Sequence, residues 1–274
     1  MTIRANCKIN IGLDVLRRRE DGFHDLSTVM YPIRELFDEV TVEILPHTSD
    51  VEFVSQGLLI DCPPDKNLCV RAARLMQERY GSVGGVRITL NKIIPFGAGL
   101  GGGSADATAV IVAINNLFEL HLSEEILIEI ASELGSDTAF FVRNSAQLCS
   151  GRGEIMQHIE LDLSGYTILL IKPDINVSTG QAYGGVRPEE PQTPLDKLIS
   201  RPIEEWQGGI KNDFEPHIFE MYPTLAQIKQ QLLDLGAVYA AMSGSGSTIY
   251  GIFASQPIVE NSPLSEYNPY VLSL

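Results

Sequence analysis

The sequence has few of the features that mark secreted or metal-binding proteins. Its 274 residues include four cysteines and one tryptophan. The cysteines are Cys7, Cys62, Cys69 and Cys149. Because they are widely spaced and form no C-x-x-C pair, they argue against a disulfide framework or a zinc site and favour reduced thiols. The five histidines form no H-x-H or H-E-x-x-H pattern, so we expect no protein-bound metal centre.

Long apolar runs are also missing. The longest candidate, 109–118, is interrupted by Asn115 and Asn116, which argues against a membrane-spanning segment. The first residues, 1–6, enter a strand-like stretch without the apolar core of a signal peptide. We therefore expect a cytoplasmic protein with no membrane partner.

Positive charge is scarce, since 20 Lys and Arg face 35 Asp and Glu and leave a net charge of −15. A nucleic-acid partner is disfavoured, because neutralising phosphates requires a basic surface. A small phosphorylated ligand stays possible, because one pocket can be positive within an acidic protein. With 44% hydrophobic and 20% charged residues, the composition is that of a globular chain large enough for a substantial core.

Hydrophobic periodicity indicates an α+β protein without a repeat of fixed period. It predicts strands at 9–15, 40–44, 86–90, 166–172 and 248–254. It predicts helices at 67–80, at 104–117, from Ser123 to the stop at Gly135, and at 224–235 before Gly236. The tail from Gln256 contains three prolines and few periodic apolar residues, and we expect it to follow the last strand and pack loosely.

The strongest motif is the glycine loop, defined as Pro95–Ser104, where five glycines fall between 97 and 103. Such a loop lets backbone N–H groups approach a ligand, and the helix that follows adds its positive N-terminus. A Rossmann turn is disfavoured because residues 92–95 separate the loop from the preceding strand. A Walker A loop requires a lysine after the last glycine, and a protein kinase requires H-R-D and D-F-G elements that are missing. A tight turn is the remaining alternative to phosphate binding. With no G-x-S-x-G elbow, hydrolase chemistry is also disfavoured.

Three segments in order along the chain resemble the signatures of the GHMP small-molecule kinases. They are Ala5–Asn10, Pro95–Asp106 and Met242–Thr248. Asp21–Leu26 and Leu134–Phe141 are further similar to a branch of that family that acts on a cytidine diphosphate-linked polyol of isoprenoid biosynthesis. The resemblance implies ATP-dependent phosphorylation of a hydroxyl on this small molecule, with Mg²⁺ accompanying ATP.

The resemblance also implies the fold and the domains. We expect the α+β GHMP-kinase fold, with a ribosomal-S5-domain-2-like ATP-binding domain over 1–153. A ferredoxin-like α/β sandwich is expected over 154–274, with the site in the cleft between the two. Residues alone leave open whether the protein is a monomer or a homodimer.

Two residues would carry the chemistry. Lys8 taken alone could be a solvated edge-strand lysine, and Asp137 an N-cap for a helix starting at Thr138. By resemblance, Asp137 is the general base on the substrate hydroxyl, and Lys8 holds it ionised and steadies the γ-phosphate.

The remaining candidates divide between ATP and substrate. For ATP they are Asn67, Pro95, Phe96, Gly97, Ala98, Gly99, Leu100, Gly101, Gly102, Gly103, Ser104 and Ala105. Asn67 either caps its helix or lies near the adenine. For the substrate they are Asn10, Phe23, His24, Lys92, Ser178 and Thr179. Phe23 and His24 would recognise the cytosine, and Lys92 is either a surface lysine or a contact to the cytidine. The turn at Ser243 is either a simple hairpin turn or part of the active site. No protein ligand for Mg²⁺ is predicted.

Several positions depart from the family pattern. Cys7, Phe23 and Ala105 stand where alanine, tyrosine and serine are usual, and Thr138-Ala139 replaces Val-Pro. Two alternatives stay open at this point. One is another GHMP kinase acting on mevalonate or homoserine, and the other is a non-catalytic ligand sensor with the same fold. A sensor would be expected to lose the lysine–aspartate pair that this chain keeps.

Overall fold

Two long strands begin the chain. In the computed structural model, which describes residues 1–60 and 62–274, β1 runs over Thr2–Arg18 and pairs with β2, which runs over His24–Leu45. The strands predicted at 9–15 and 40–44 are confirmed as parts of these longer elements. Residues 5–15 of β1 are all buried, although apolar and polar residues alternate along them. The strand therefore buries polar side chains, including those of Lys8 and Asn10.

The chain forms two compact units. The first contains Met1–Lys8, Leu36–Phe96 and Gly101–Ser145, and the second contains Ile9–Glu35, Gly97–Leu100 and Ala146–Leu274. The sequence-based division between residues 153 and 154 predicts two domains, each formed by one continuous segment. The two compact units are instead each formed by several segments, because β1, β2 and the glycine loop contribute residues to both. The boundary of the family domains stays a prediction.

The first unit contains a sheet and four helices. Its remaining elements are β3 (Val51–Gly57), α1 (Leu68–Arg79), β4 (Gly85–Lys92), α2 (Gly102–Leu117), α3 (Glu124–Leu134) and α4 (Ser136–Arg143), with a 3₁₀ turn at Pro64–Lys66. β4 pairs antiparallel with the second half of β2 and parallel with β3. The apolar helix α2 contacts α1, α3 and α4. The three helices predicted in this region are confirmed, with the start of α2 two residues earlier than expected.

The strands of the second unit are β5 (Gln147–Ser150), β6 (Ile155–His158), β7 (Thr167–Ile171), β8 (Tyr239–Met242), β9 (Ile249–Phe253) and β10 (Tyr270–Ser273). Four of them form an antiparallel sheet with the order β10-β7-β9-β8. The helices of this unit are α5 (Thr179–Gly184), α6 (Leu195–Ile199), α7 (Glu215–Met221) and α8 (Pro223–Asp234), with 3₁₀ turns at Ile203–Glu205 and Pro263–Tyr267. β5 pairs with the first half of β2 and with β6. The strand predicted at 166–172 and the helix predicted at 224–235 are confirmed.

The C-terminal tail differs from the loosely packed segment that the sequence predicts. The strand β9 is not the last, because β10 pairs antiparallel with β7 from Tyr270 to Ser273. The tail is not loosely packed either, since Leu264 is only 1% exposed within the apolar core of this unit. Prolines obscure the periodicity, while a 3₁₀ turn at Pro263–Tyr267 places single apolar side chains in the core.

All four cysteines are free thiols, three of them buried. No helix among the described residues is long and apolar enough to cross a membrane.

Candidate active site

Lys8 and Asp137 form an ion pair in the first unit. The Lys8 Nζ lies 3.2 Å from the Asp137 Oδ2, with the lysine buried on β1 and the aspartate about one-third exposed. The interpretation of Lys8 as a solvated edge residue is therefore wrong. The N-cap interpretation of Asp137 is also wrong: α4 begins at Ser136 with Gly135 as its N-cap, so Asp137 lies within the first turn. Its carboxylate is directed to the lysine instead.

Part of the glycine loop lies beside this pair. Gly101 has a left-handed φ of 70° and is the N-cap of α2. A Cβ at Gly101 would lie 3.0–3.1 Å from the Phe141 ring and the Lys8 Cε, so the lysine stem passes directly along the loop backbone. No side chain caps the first turn of α2, and its N–H groups are available at the positive end of the helix. Lys8 and this helix terminus therefore supply positive potential at one place.

A cavity of about 80 Å³ in the first unit includes residues of the glycine loop in its wall. It is lined mainly by apolar side chains, including Ile60, Leu68, Leu90 and Phe96, together with Asn67 and Gly103. The capping interpretation of Asn67 is confirmed, because its Oδ1 accepts from the N–H groups of Cys69 at 2.9 Å and Val70 at 3.4 Å. Asn67 thus caps α1 and lines the cavity at the same time.

Lys92 is not a surface lysine. It is 3% exposed, lines the same cavity as Asn67, and forms ion pairs with Asp106 at 2.8 Å and with Asp38. Asp38 also accepts from the backbone N–H groups of Ile93 and Ile94, where the chain leaves β4. Sequence reasoning missed both carboxylates. A charged residue inside the apolar run of α2 was the available indication for Asp106, and nothing singled out Asp38.

Burial and charge oppose each other in this cluster. Burial acts to lower the pKa of Lys92, but Asp106 and Asp38 outweigh it and raise the pKa above its ordinary value. Burial raises the pKa of Asp106 to about 7, against the opposing effect of Lys92. The Oδ1 of Asp106 has no hydrogen-bond partner among the described residues.

In the second unit, Ser243 links Asn10 to the central part of the glycine loop. The Ser243 Oγ accepts from the Asn10 N–H at 3.1 Å and donates to the Gly99 carbonyl at 2.9 Å. Gly99 has a left-handed φ of 75°, and a Cβ there would collide with the Ser243 carbonyl. The turn between β8 and β9 is thus more than a hairpin connection, because it packs against the loop.

His24 stacks on an aromatic residue that sequence reasoning missed. The rings of His24 and Tyr183 are 4.8 Å apart and 18° from parallel. Burial lowers the pKa of His24, and Arg18 adds to the effect. Phe23 is 54% exposed, with the guanidinium of Arg152 at 5.1 Å from its ring centroid.

Ser178 and Thr179 lie at the start of the helix that carries Tyr183. Ser178 caps α5 through a reciprocal capping box with Gln181, and Thr179 is its first residue. Both are exposed. The short helix therefore joins these two predicted substrate residues to the His24 stack.

Comparison with known proteins identifies the family of this chain. Residues 67–145 match the GHMP kinase N-terminal domain, and residues 195–261 match the GHMP kinase C-terminal domain. The chain belongs to the GHMP kinase family. The resemblance drawn from the three motifs is confirmed, and with it the GHMP-kinase fold.

Two similar bacterial proteins carry the same name. A Bacteroides fragilis protein, 4-diphosphocytidyl-2-C-methyl-D-erythritol kinase, is 44% identical over 253 residues, covering 92% of this chain and 91% of the relative. The protein of that name from Bacteroides thetaiotaomicron is 43% identical over 249 residues, covering 90% of each chain. A crystal structure of 4-(cytidine 5'-diphospho)-2C-methyl-D-erythritol kinase has a TM-score of 0.79 at 31% identity, covering 100% of this chain and 98% of that one. Mevalonate kinase from Methanococcus jannaschii has a TM-score of 0.70 at 11% identity, covering 100% of this chain and 98% of that chain, and so shares the fold.

Membership of a kinase family implies that the GHMP kinase uses ATP. The first unit suits this cosubstrate, because it combines an uncapped helix N-terminus, a buried ammonium and an apolar cavity with one amide. No group of three or more His, Cys, Asp or Glu within residues 1–60 and 62–274 could hold a metal ion. The described residues therefore do not form a protein cage for Mg²⁺.

Proposed function

We propose that this GHMP kinase transfers the γ-phosphoryl group of ATP to the 2-hydroxyl of 4-diphosphocytidyl-2-C-methyl-D-erythritol, in isoprenoid precursor biosynthesis. The observation that carries the proposal is the Lys8–Asp137 ion pair, at 3.2 Å, beside the N-terminus of α2. A kinase needs a proton acceptor and positive charge at one place, and this pair supplies both. Relatives at up to 44% identity that carry the name of this kinase support the choice of substrate.

Asp137 is the proposed general base. The substrate hydroxyl oxygen attacks the γ-phosphorus, its proton passes to the Asp137 carboxylate, and the bond from phosphorus to the ADP oxygen breaks. Lys8 orients the carboxylate and neutralises charge on the transferring oxygens. Positioning and electrostatic stabilisation supply most of the rate enhancement in such reactions, which is consistent with so few chemical groups.

The nucleotide is proposed to occupy the cavity lined by Asn67, with its phosphates at the glycine loop. The Asn67 Oδ1 is used in capping α1, so its Nδ2 is the group left to donate to a ring nitrogen of adenine. Lys92 lines this cavity, and its ammonium is held by two carboxylates. We therefore assign Lys92 to the wall of the nucleotide cavity rather than to the cytidine. Mg²⁺ entering with ATP would be held by the phosphates and water.

The second unit is proposed to recognise the substrate through Asn10, Phe23, His24, Ser178 and Thr179. Because its pKa lies below the usual value, His24 is a neutral imidazole at pH 7, with one donor and one acceptor nitrogen. A neutral ring of this kind can pair with the polar edge of a cytosine. Phe23 offers an exposed ring face for stacking but no hydroxyl.

The test of the mechanism is Asp137→Asn, which keeps the side-chain shape but removes the base. Phosphoryl transfer from ATP is followed by ADP release, and ATP affinity is measured by calorimetry. We expect kcat to fall by roughly 10²–10⁴-fold, the usual contribution of a general base, while ATP affinity changes little. The matched control is Glu125→Gln, an exposed acid in the first turn of the neighbouring α3, which should leave kcat unchanged. A kcat near the wild-type value in Asp137→Asn would remove this residue from the mechanism.

The choice of substrate is tested separately with a panel of alcohols. The wild-type enzyme should phosphorylate 4-diphosphocytidyl-2-C-methyl-D-erythritol and leave mevalonate and homoserine unreacted. Turnover of either of the latter alone would replace the proposed substrate. ATP binding without turnover of any alcohol would indicate a ligand sensor instead.

A further inference from the structure

The segment Asn212–Glu215 makes hydrogen bonds to the turn between β8 and β9. No sequence motif indicated this segment. Asn212 is 2% exposed, and its Nδ2 donates to the carbonyls of Met242 and Gly244, each at 2.8 Å. Its Oδ1 accepts from the Phe214 N–H at 3.0 Å. The amide thus uses both donor hydrogens on the backbone where β8 leads into the turn.

Glu215 holds the same turn where it leaves β8. Its Oε1 accepts from the Met242 N–H at 2.8 Å, and its Oε2 pairs with Lys229 at 2.6 Å. Met242 is therefore fixed through its N–H by Glu215 and through its carbonyl by Asn212. These two hydrogen bonds hold the backbone immediately before Ser243.

The turn between β8 and β9 holds the centre of the glycine loop. Ser243 donates to the Gly99 carbonyl at 2.9 Å, and the Thr248 N–H donates to the Ala98 carbonyl at 3.2 Å. Gly99 lies against the Ser243 carbonyl so closely that no side chain fits between them. A displacement of the turn must therefore displace Ala98 and Gly99 as well.

We propose that Asn212 is a positioning residue for phosphate binding: it sets the turn at Ser243, and this turn sets the conformation of Ala98 and Gly99. The inference rests on the proposed ATP-dependent function, and Asn212 itself touches neither ligand. Without its two amide hydrogens, the carbonyls of Met242 and Gly244 are buried without donors, and such groups shift to find new partners. The loop N–H groups then no longer converge on the phosphates.

The main variant is Asn212→Asp, which keeps the size and the acceptor toward Phe214 but replaces the donating NH₂ with an oxygen. Calorimetry with ATP should show an affinity about 10-fold weaker or more, because buried carbonyls lose their donors. In steady-state kinetics, KM for ATP should rise more than KM for the cytidyl substrate, which reaches the turn only through Asn10. Asn212→Ala should act in the same direction.

A control variant distinguishes positioning of the loop from a general loss of stability. It removes a different side-chain hydrogen bond to β8. The Gln207 Oε1 accepts from the Ala240 N–H at 2.9 Å, within β8 and two residues before Met242. Gln207→Ala removes a side-chain hydrogen bond to β8 and should lower the melting temperature without changing ATP affinity. Equal losses of ATP affinity in Gln207→Ala and Asn212→Asp would overturn the proposal.

The route through Ser243 is tested by a double-mutant cycle. Ser243→Ala removes the hydrogen bond to Gly99, so Asn212→Ala added to it should weaken ATP binding by less than it does alone. Fully additive losses would show that Asn212 does not act through this turn. If the wild-type protein fails to bind ATP, the proposed function falls; if it binds ATP and Asn212→Asp binds equally well, only this inference falls.

Discussion

At the scale of single residues, the most demanding feature is the buried charge cluster of Lys92, Asp38 and Asp106. One ammonium serves two carboxylates, all three side chains are at most 3% exposed, and one oxygen of Asp106 has no described partner. A buried ion pair adds little net stability to a protein. Removing one of its partners is nevertheless strongly destabilising, because the other charge is left buried and uncompensated. Lys92 therefore contributes to the stability of the fold and also lines the cavity beside Asn67.

This cost predicts the effect of Lys92→Met. The variant leaves two buried carboxylates without a cation, and we expect the free energy of unfolding to fall by about 3–5 kcal/mol in urea denaturation at pH 7. The control is Arg87→Met on the same strand, where the exposed pair with Glu52 at 2.8 Å should contribute less than about 1 kcal/mol. Similar losses in the two variants would show that the buried cluster is not special.

From sequence, residues that belong to a motif could be singled out as candidates, whereas residues brought to the site only by the fold could not. Lys8 and Asp137 lie far apart in sequence, but each belongs to a recognisable family segment, and they meet at 3.2 Å. Asp38 belongs to no motif and pairs with a lysine 54 positions away. Its burial follows from the packing of β2 and β4, which local periodicity does not report.

At the scale of elements, boundaries followed from caps and periodicity. The helix α3 begins after Ser123, which accepts from the Ile126 N–H, and ends at Gly135, as its capping residues indicate. The helix α4 has no side-chain cap, so its first residue could not be placed from sequence. The strand β10 was missed for a similar reason: four residues that alternate in burial after a proline carry little periodic information.

The strand β10 should nevertheless stabilise the second unit. It pairs with β7 over four residue pairs and covers one edge of the buried run Ile168–Ile171. A chain ending at Asn268 exposes that edge, and we expect a melting temperature several degrees lower and a tendency to self-associate, seen by light scattering. Val271→Thr, which changes only an exposed side chain of β10, is the control and should behave as wild type. An unchanged melting temperature and a monodisperse truncated chain would mean that β10 contributes nothing.

At the scale of the whole molecule, a net charge of −15 is compatible with the proposed phosphate site, because the positive potential is local. It comes from Lys8, the N-terminus of α2 and the loop backbone, and none of these requires a basic surface. The excess of acid has a different consequence. Some carboxylates are buried near one another, as Asp14 is near Asp213, and these should make the stability of the protein depend on pH.

Asp14 allows this dependence to be tested. Burial raises the pKa of Asp14 to about 6, with Asp213 adding to the rise and Lys211 opposing it. The folded state therefore holds a proton that the unfolded state releases near pH 4, so stability is lost as the pH rises from about 4 to about 6 and is not regained above that. Asp14→Asn cannot ionise, and at pH 7.5 it should be more stable than wild type by about 1–3 kcal/mol, with no gain at pH 4. The exposed Asp196→Asn should show no such difference at either pH. A variant Asp14→Asn that is equally stable or less stable at pH 7.5 would show that the folded state does not disfavour this charge.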